Sequence, residues 1–251
     1  MKKEVCCDCI NLRCRKLPST RILSVYSKEY GLVKLSGSKL GGRAQSFICN
    51  KFWIELQEGK DIYNIKHSEF IKNFSNLEKD LLILYHAFFY VEILEQASHF
   101  HDEKSEKIFN LLYKALEYLD ELAIKENNNS FVLCNTLYFL WNIIILLGYE
   151  PVLNIKDNFE SENKIIFDFE NGLIDFKAHD FKFSKDFCVE LLPNSYKAFL
   201  NLEKLKLSNI EDLEKTINLN DKLIFFLINT LQRYLQIKID RKFKSFSCLI
   251  V

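Results

Sequence analysis

The stretch VCCDCINLRC, Val5 to Cys14, holds four of the chain's eight cysteines. Thiols this close invite a metal reading. A structural zinc site, however, takes its cysteines as spaced pairs with a second pair elsewhere. Cys6, Cys7 and Cys9 are crowded together, and no matching pair follows. Strand alternation accounts for them better. It puts Cys6, Ile10, Leu12 and Cys14 on one face and Cys7, Cys9, Asn11 and Arg13 on the other. Free cysteine packs as a small apolar side chain, so the stretch predicts a strand. The second group with ligand chemistry, HFHDE, contains His99, His101, Asp102 and Glu103. It reads as a polar turn between helices with Asp102 as an N-cap. No phosphate-binding glycine loop, nucleophile elbow or H-E-x-x-H helix occurs. The expectation is a protein that is not an enzyme and needs no cofactor.

Charge is more informative than thiols. The formal net charge is zero, yet residues 1–72 hold 14 of the 34 basic residues and only 7 of the 34 acidic ones. A basic first third is the footprint of a polyanion partner. Arg13, Arg15, Lys16 and Arg21 bracket the first expected turn, and Lys34, Lys39 and Arg43 lie in and after the third strand. In the fourth strand Ile48, Phe52, Ile54 and Leu56 point one way, leaving Phe47, Lys51 and Trp53 to point outward. Aromatics among cations suit single-stranded nucleic acid, with bases on the rings and phosphates on Lys and Arg. The nucleic-acid-binding set is therefore Arg13, Arg15, Lys16, Arg21, Lys34, Lys39, Arg43, Lys51 and Trp53.

These residues need a scaffold. Five of the seven glycines fall in the first seventy residues and break them into alternating runs. Strands are expected at Val5–Cys14, Arg21–Ser27, Leu32–Ser36, Ser46–Gln57 and Lys60–Lys66, which is the strand count of an OB-fold barrel. Helices follow: one from Ser75, capped with Glu78, one near Glu103–Lys125, and the uncharged segment Phe131–Tyr149. That segment carries Asn135 and Asn142 on one face, so it reads as a buried core helix with Trp141 inside rather than a membrane span. Two strands are expected around Glu170-Asn171-Gly172. Helices resume after Pro193, at Ser208 with Glu211, and from Asp221. The fold class is α+β: an OB-fold barrel at 1–74, then an all-helical domain at 75–251 with a small β insert at 152–190.

The run INLRCRKLPSTRILSVYSKEYGLVKLSGSKLGGRAQSF, with its EYGL and SKLGGR, resembles the N-terminal OB domain of the RecO family of DNA repair and recombination proteins, in its cyanobacterial form. The likeness continues through HSEFIKNFSNLEKDL, LLGYEPVL and ENGL to YLQIKIDRKFKSFSCLI. It implies binding of single- and double-stranded DNA, annealing of complementary strands, and loading of the recombinase RecA with the partner RecR. It also implies contact with the acidic tail of single-strand-binding protein, for which Arg233, Lys238, Arg241, Lys242 and Lys244 are candidates. Many members hold zinc between the helices through two C-x-x-C pairs. Here those positions fall near Lys156, Phe159, Asp175 and Ala178, and Cys188 is the insert's one cysteine. The basic loop is cut to SGSK between Leu35 and Gly41.

The expectation is a zinc-less RecO-like mediator of the cytoplasm and nucleoid, with no membrane partner. Asp8 and Arg13 interrupt any secretory pattern behind Lys2 and Lys3. The rival reading is an adaptor that recruits single-strand-binding protein or RecR and binds little DNA itself.

Overall fold

A computed structural model describes residues 2–37, 41–100, 102–125, 129–154, 163–178, 182–204 and 221–244. The chain divides into two compact units, Met1–Glu126 with Phe243–Val251, and Asn127–Lys242. In the first, the strands are β1 (Lys2–Lys16), β2 (Arg21–Ser27), β3 (Gly31–Gly37), β4 (Ile48–Gln57) and β5 (Ile62–Asn73). They form a mixed sheet whose pairings run β1-β2-β3-β5-β4 and back to β1. All are antiparallel except β3 with β5, which pair in parallel over Lys34–Ser36. Cys7, Cys9, Leu23, Val25, Val33, Leu35, Phe52 and Ile54 fill the core inside.

The Val5–Cys14 stretch is a strand, as alternation requires. Cys6 is exposed, while Cys7 and Cys9 are buried with their sulfurs 3.6 Å apart. Burial keeps the Cys9 thiol well above its usual pKa, and Cys7 beside it pushes the same way. Alternation then breaks. The β1–β2 register shifts between Asn11 and Arg13. A bulge of this kind turns the following side chains over, so Arg13 is exposed instead of joining Cys7.

Helices α1 (Leu81–Ala97) and α2 (Ser105–Leu122) belong to the same unit. The start of α1 corrects the expected Ser75 cap. Ser75–Lys79 is a 3-10 turn, and the carboxylate of Asp80 accepts from the N–H groups of Leu82 and Ile83 at 2.9 and 3.1 Å. Asp102 likewise does not cap α2, which begins three residues later; its carboxylate accepts from the Lys104 N–H at 2.8 Å. Side chains tie both helices to strands. Arg13 pairs with Glu95 at 2.7 Å, Lys28 with Glu106 at 3.2 Å, and the Ser105 hydroxyl donates to the Lys28 carbonyl. His86 sits inside α1's buried face; burial lowers its pKa to about 4, so it is neutral there. Phe243 meets Phe89 edge-on, and the Lys244 N–H donates to Glu92 at 2.7 Å.

The second unit holds α3 (Asn129–Leu146), β6 (Val152–Leu153), β7 (Asn163–Asp168), β8 (Leu173–Ala178), β9 (Cys188–Leu191), α4 (Pro193–Lys204) and α5 (Asp221–Ile239). Its sheet runs β6-β8-β7-β9. By length and composition α3 could cross a membrane, but 67% of its apolar window is buried. Trp141, Asn135 and Asn142 are all buried, and the Asn142 amide donates to the Tyr138 carbonyl one turn back.

The expected fold class is thereby corrected. A helical region follows the mixed five-stranded sheet, but among the described residues it is not a domain of its own: α1 and α2 cluster with that sheet, and the remaining helices share a unit with a four-stranded one. The physical reason lies in α1. Its apolar residues run almost all round it, so it buries against more than a single helical partner. The Ser208–Glu211 cap falls outside the described residues.

A candidate nucleic-acid interface

Eight of the nine expected residues are described, Lys39 lying outside, and they fall in two environments. The first is the β1–β2 hairpin end. Lys16 stands directly across from Arg21 in the antiparallel register. Like charges placed opposite one another cost stability. Arg15 is exposed one residue before it. Beside the hairpin end opens a cavity of about 630 Å³ whose lining includes Lys16, Arg21 and Glu78 together with Phe47, Leu84 and Phe88.

Arg13 and Lys34 form the next row. Arg13 pairs with Ser24, and Ser24 with Lys34, across three adjacent strands. That places the two cations about 10 Å apart at the backbone. Glu95 of α1 reaches between them. Burial raises its pKa, while Arg13, a hydrogen bond from Ser24 and the charge of Lys34 pull it down. A carboxylate in the middle of a basic row subtracts from it. Glu95→Gln keeps the shape and removes the charge. It is expected to tighten DNA binding about fourfold near 0.15 M salt, as one phosphate contact adds about 0.7 to the salt slope. A titration showing unchanged or weaker affinity would take Arg13 and Lys34 out of the interface.

Arg43 is positioned by its surroundings. The buried amide of Asn11 donates to the carbonyls of Arg43 and Gln45 at 2.7 and 2.9 Å. Asn50, also buried, donates to the same Arg43 carbonyl at 3.2 Å. The guanidinium in turn donates to the Ser68 carbonyl and, at 3.0 Å, to its hydroxyl.

Lys51 and Trp53 lie elsewhere, on a face whose charges are balanced. Lys51 is 3.8 Å from Asp8, Lys66 is 2.9 Å from Glu55, and Trp53 meets the ring of His67 at 4.9 Å. Glu69 stands across from Lys51. Carboxylates here repel phosphates, so this face differs from the expected cationic one. Phe47 does not point outward either. It is buried against Phe88 at 5.0 Å, with φ of 60°. β4 begins only at Ile48, so its alternation never reaches Phe47.

Asn11, Asn50 and Glu95 were not among the expected residues. A polar residue inside an apolar strand is the signal for the first two. Nothing local marks Glu95.

In the second unit, the zinc positions near Lys156 and Phe159 lie outside the described residues. Asp175 does not fit a ligand role, because its oxygens already accept from Asn154 at 2.7 Å, the Phe176 N–H at 2.8 Å and Lys177 at 2.9 Å. Burial pushes its pKa up, but these bonds bring it below the usual carboxylate value. No group of three or more ligand side chains is placed for a metal among the described residues. Two of the cations expected to bind the single-strand-binding protein tail are engaged in this unit. Arg233 donates to the carbonyls of Lys185 and Asp186, and Lys238 to that of Glu170.

No protein-family model matches the chain. The DNA repair protein RecO of Dehalococcoides mccartyi is 33% identical over 142 residues, 53% of this chain and 51% of that one. Homology to the RecO family thus covers about half of the chain. RecO of Trichodesmium erythraeum is 26% identical over 152 residues, covering 57% of this chain and 52% of its own. RecO of Caldanaerobacter subterraneus is 28% identical over 141 residues, 53% of each. The chain spans about half the length of the curated RecO relatives it matches.

Proposed function

We propose that this chain is a non-enzymatic RecO-like recombination mediator acting in DNA repair, in the cytoplasm and nucleoid. The observation that carries the reading is the like-charged Lys16–Arg21 pair beside exposed Arg15, in a chain homologous to RecO proteins. Phosphates of single- or double-stranded DNA would neutralise that hairpin end. Arg13, Lys34, Lys39 and Arg43 would extend the contact. Two strands held with their charge screened can approach and anneal. Loading of RecA with RecR is the further step that the likeness supports. Lys51 and Trp53 stand outside the proposed path, because their face is charge-balanced.

The rival adaptor reading has its own observation. Cations and apolar side chains in one cavity lining, as with Lys16 and Arg21 alongside Leu84 and Phe88, suit an acidic peptide with an apolar end, such as the tail of single-strand-binding protein. One titration separates the two. The full chain should bind a single-stranded oligonucleotide with a slope of log K against log salt of about −2 or steeper between about 50 and 200 mM salt. Negligible or salt-independent binding, with tail-peptide affinity retained, would favour the adaptor.

A further inference from the structure

We infer that a second cavity, of about 380 Å³ beside β3, holds one unpaired base of a bound single strand. This rests on the DNA-binding reading and names what that surface recognises. The cavity lies between Leu32–Lys34, the Lys60–Asp61 turn, Tyr63 and the segment Ser98–Phe100 that follows α1.

Three observations point to a base. First, the lining offers flat aromatic surface to solvent. Phe100 is 37% exposed, and its ring is 5.5 Å from Tyr63 and 6.2 Å, stacked, from Tyr30. Ring faces hold bases of any sequence, because every base has a π-face. Second, cations flank the rings. Lys34 and Lys60 are exposed and both line the cavity. A nucleotide needs that pairing of an apolar plane with positive charge for the adjoining phosphate. Asp61 is the acid among the described residues that line it, and a carboxylate can accept from an exocyclic amine.

Third, the segment carrying Phe100 is fixed before any ligand arrives. Gly31 and Phe100 form a β-bridge, and the Leu32 N–H donates to the His99 carbonyl at 3.3 Å. Gly31 has φ of +72°, and a Cβ there would stand 2.7 Å from the His99 oxygen, so only glycine lets the segments approach. A preformed pocket loses little entropy on binding.

Position makes the cavity part of the same surface. Lys34 ends the Arg13–Ser24–Lys34 row and also lines the cavity. A strand whose backbone follows the basic row would bring a base to Phe100. Duplex bases are stacked and paired, and entering would mean extruding one. The cavity is therefore a device for telling single strands from double.

The test uses the full chain, a thymidine oligomer of about 20 nucleotides and a blunt duplex of equal length. Phe100→Leu keeps apolar volume and removes the stacking face. It should weaken binding of the oligomer about tenfold, from the loss of one stacked base, and leave duplex binding within about twofold. Lys60→Ala should weaken the oligomer as well and cannot disturb the Gly31–Phe100 junction. Equal losses for oligomer and duplex, or none with either variant, would overturn the base pocket while DNA binding stands. Failure of the unaltered chain to bind either probe would instead remove the reading beneath it.

Discussion

Replacing Arg15, Lys16 and Arg21 together by alanine is expected to lower affinity for single-stranded DNA about fiftyfold near 0.15 M salt. The magnitude follows from counterion release. Each phosphate contact on a single strand contributes about 0.7 to the salt slope, so three contribute about 2.1. From about 1 M down to 0.15 M salt is about 0.8 of a decade, and the product is about 1.7 decades of affinity. The slope should flatten by about two units, and the loss should be the same for every sequence, because phosphate contacts carry no code. Lys16 and Arg21 face each other in the register, and removing a like-charge pair relieves the hairpin. Paired measurement of affinity and unfolding midpoint separates loss of contact from loss of fold. Affinity unchanged within a factor of about three would mean that the hairpin end meets something other than DNA.

What the sequence could reveal follows the range of the forces involved. Alternation located the five N-terminal strands, and Gly172 marked its hairpin, where φ is +65° and a Cβ would lie 2.6 Å from the Tyr234 hydroxyl. Alternation and a positive φ are local demands on the backbone, while the Tyr234 contact only reinforces the second. Alternation points Phe47 outward only if the fourth strand starts at Ser46, two residues too early; a left-handed backbone at that position is a tertiary choice, fixed by its N–H donating to the Asn11 carbonyl. Alternation puts Arg13 on the face of Cys7 because a bulge between paired strands leaves no mark in one strand alone. The balance of the Trp53 face was hidden for a similar reason. Asp8, Lys51 and Glu69 come from three strands and meet only when the register is known. The clustering of α1 and α2 with the sheet depends on pairs such as Arg13–Glu95, some eighty residues apart in the chain.

Asn11 shows how a buried polar group can serve the site from a distance, and Asn11→Ala should cost the N-terminal unit about 3 kcal/mol. Its side chain is fully buried, and its amide supplies hydrogen bonds to the carbonyls of Arg43 and Gln45. Its own carbonyl oxygen accepts, at 3.4 Å, from Asn50. Alanine leaves the Gln45 carbonyl without this donor and the Arg43 carbonyl with Asn50 alone. The Asn11–Gln45 bond is part-buried, and an acceptor left there without its donor costs about 1–3 kcal/mol, least where water can reach it. Asn11→Asp should be worse at neutral pH, since a carboxylate in the same place would face two carbonyls with no proton to give. The consequence reaches the interface through the backbone, because Arg43 is held in place by that carbonyl before its guanidinium reaches Ser68. Urea unfolding should be followed in a Trp141→Phe background, where Trp53 reports the N-terminal unit. A shift below about 0.5 kcal/mol would mean that water replaces the amide and that Asn11 holds nothing.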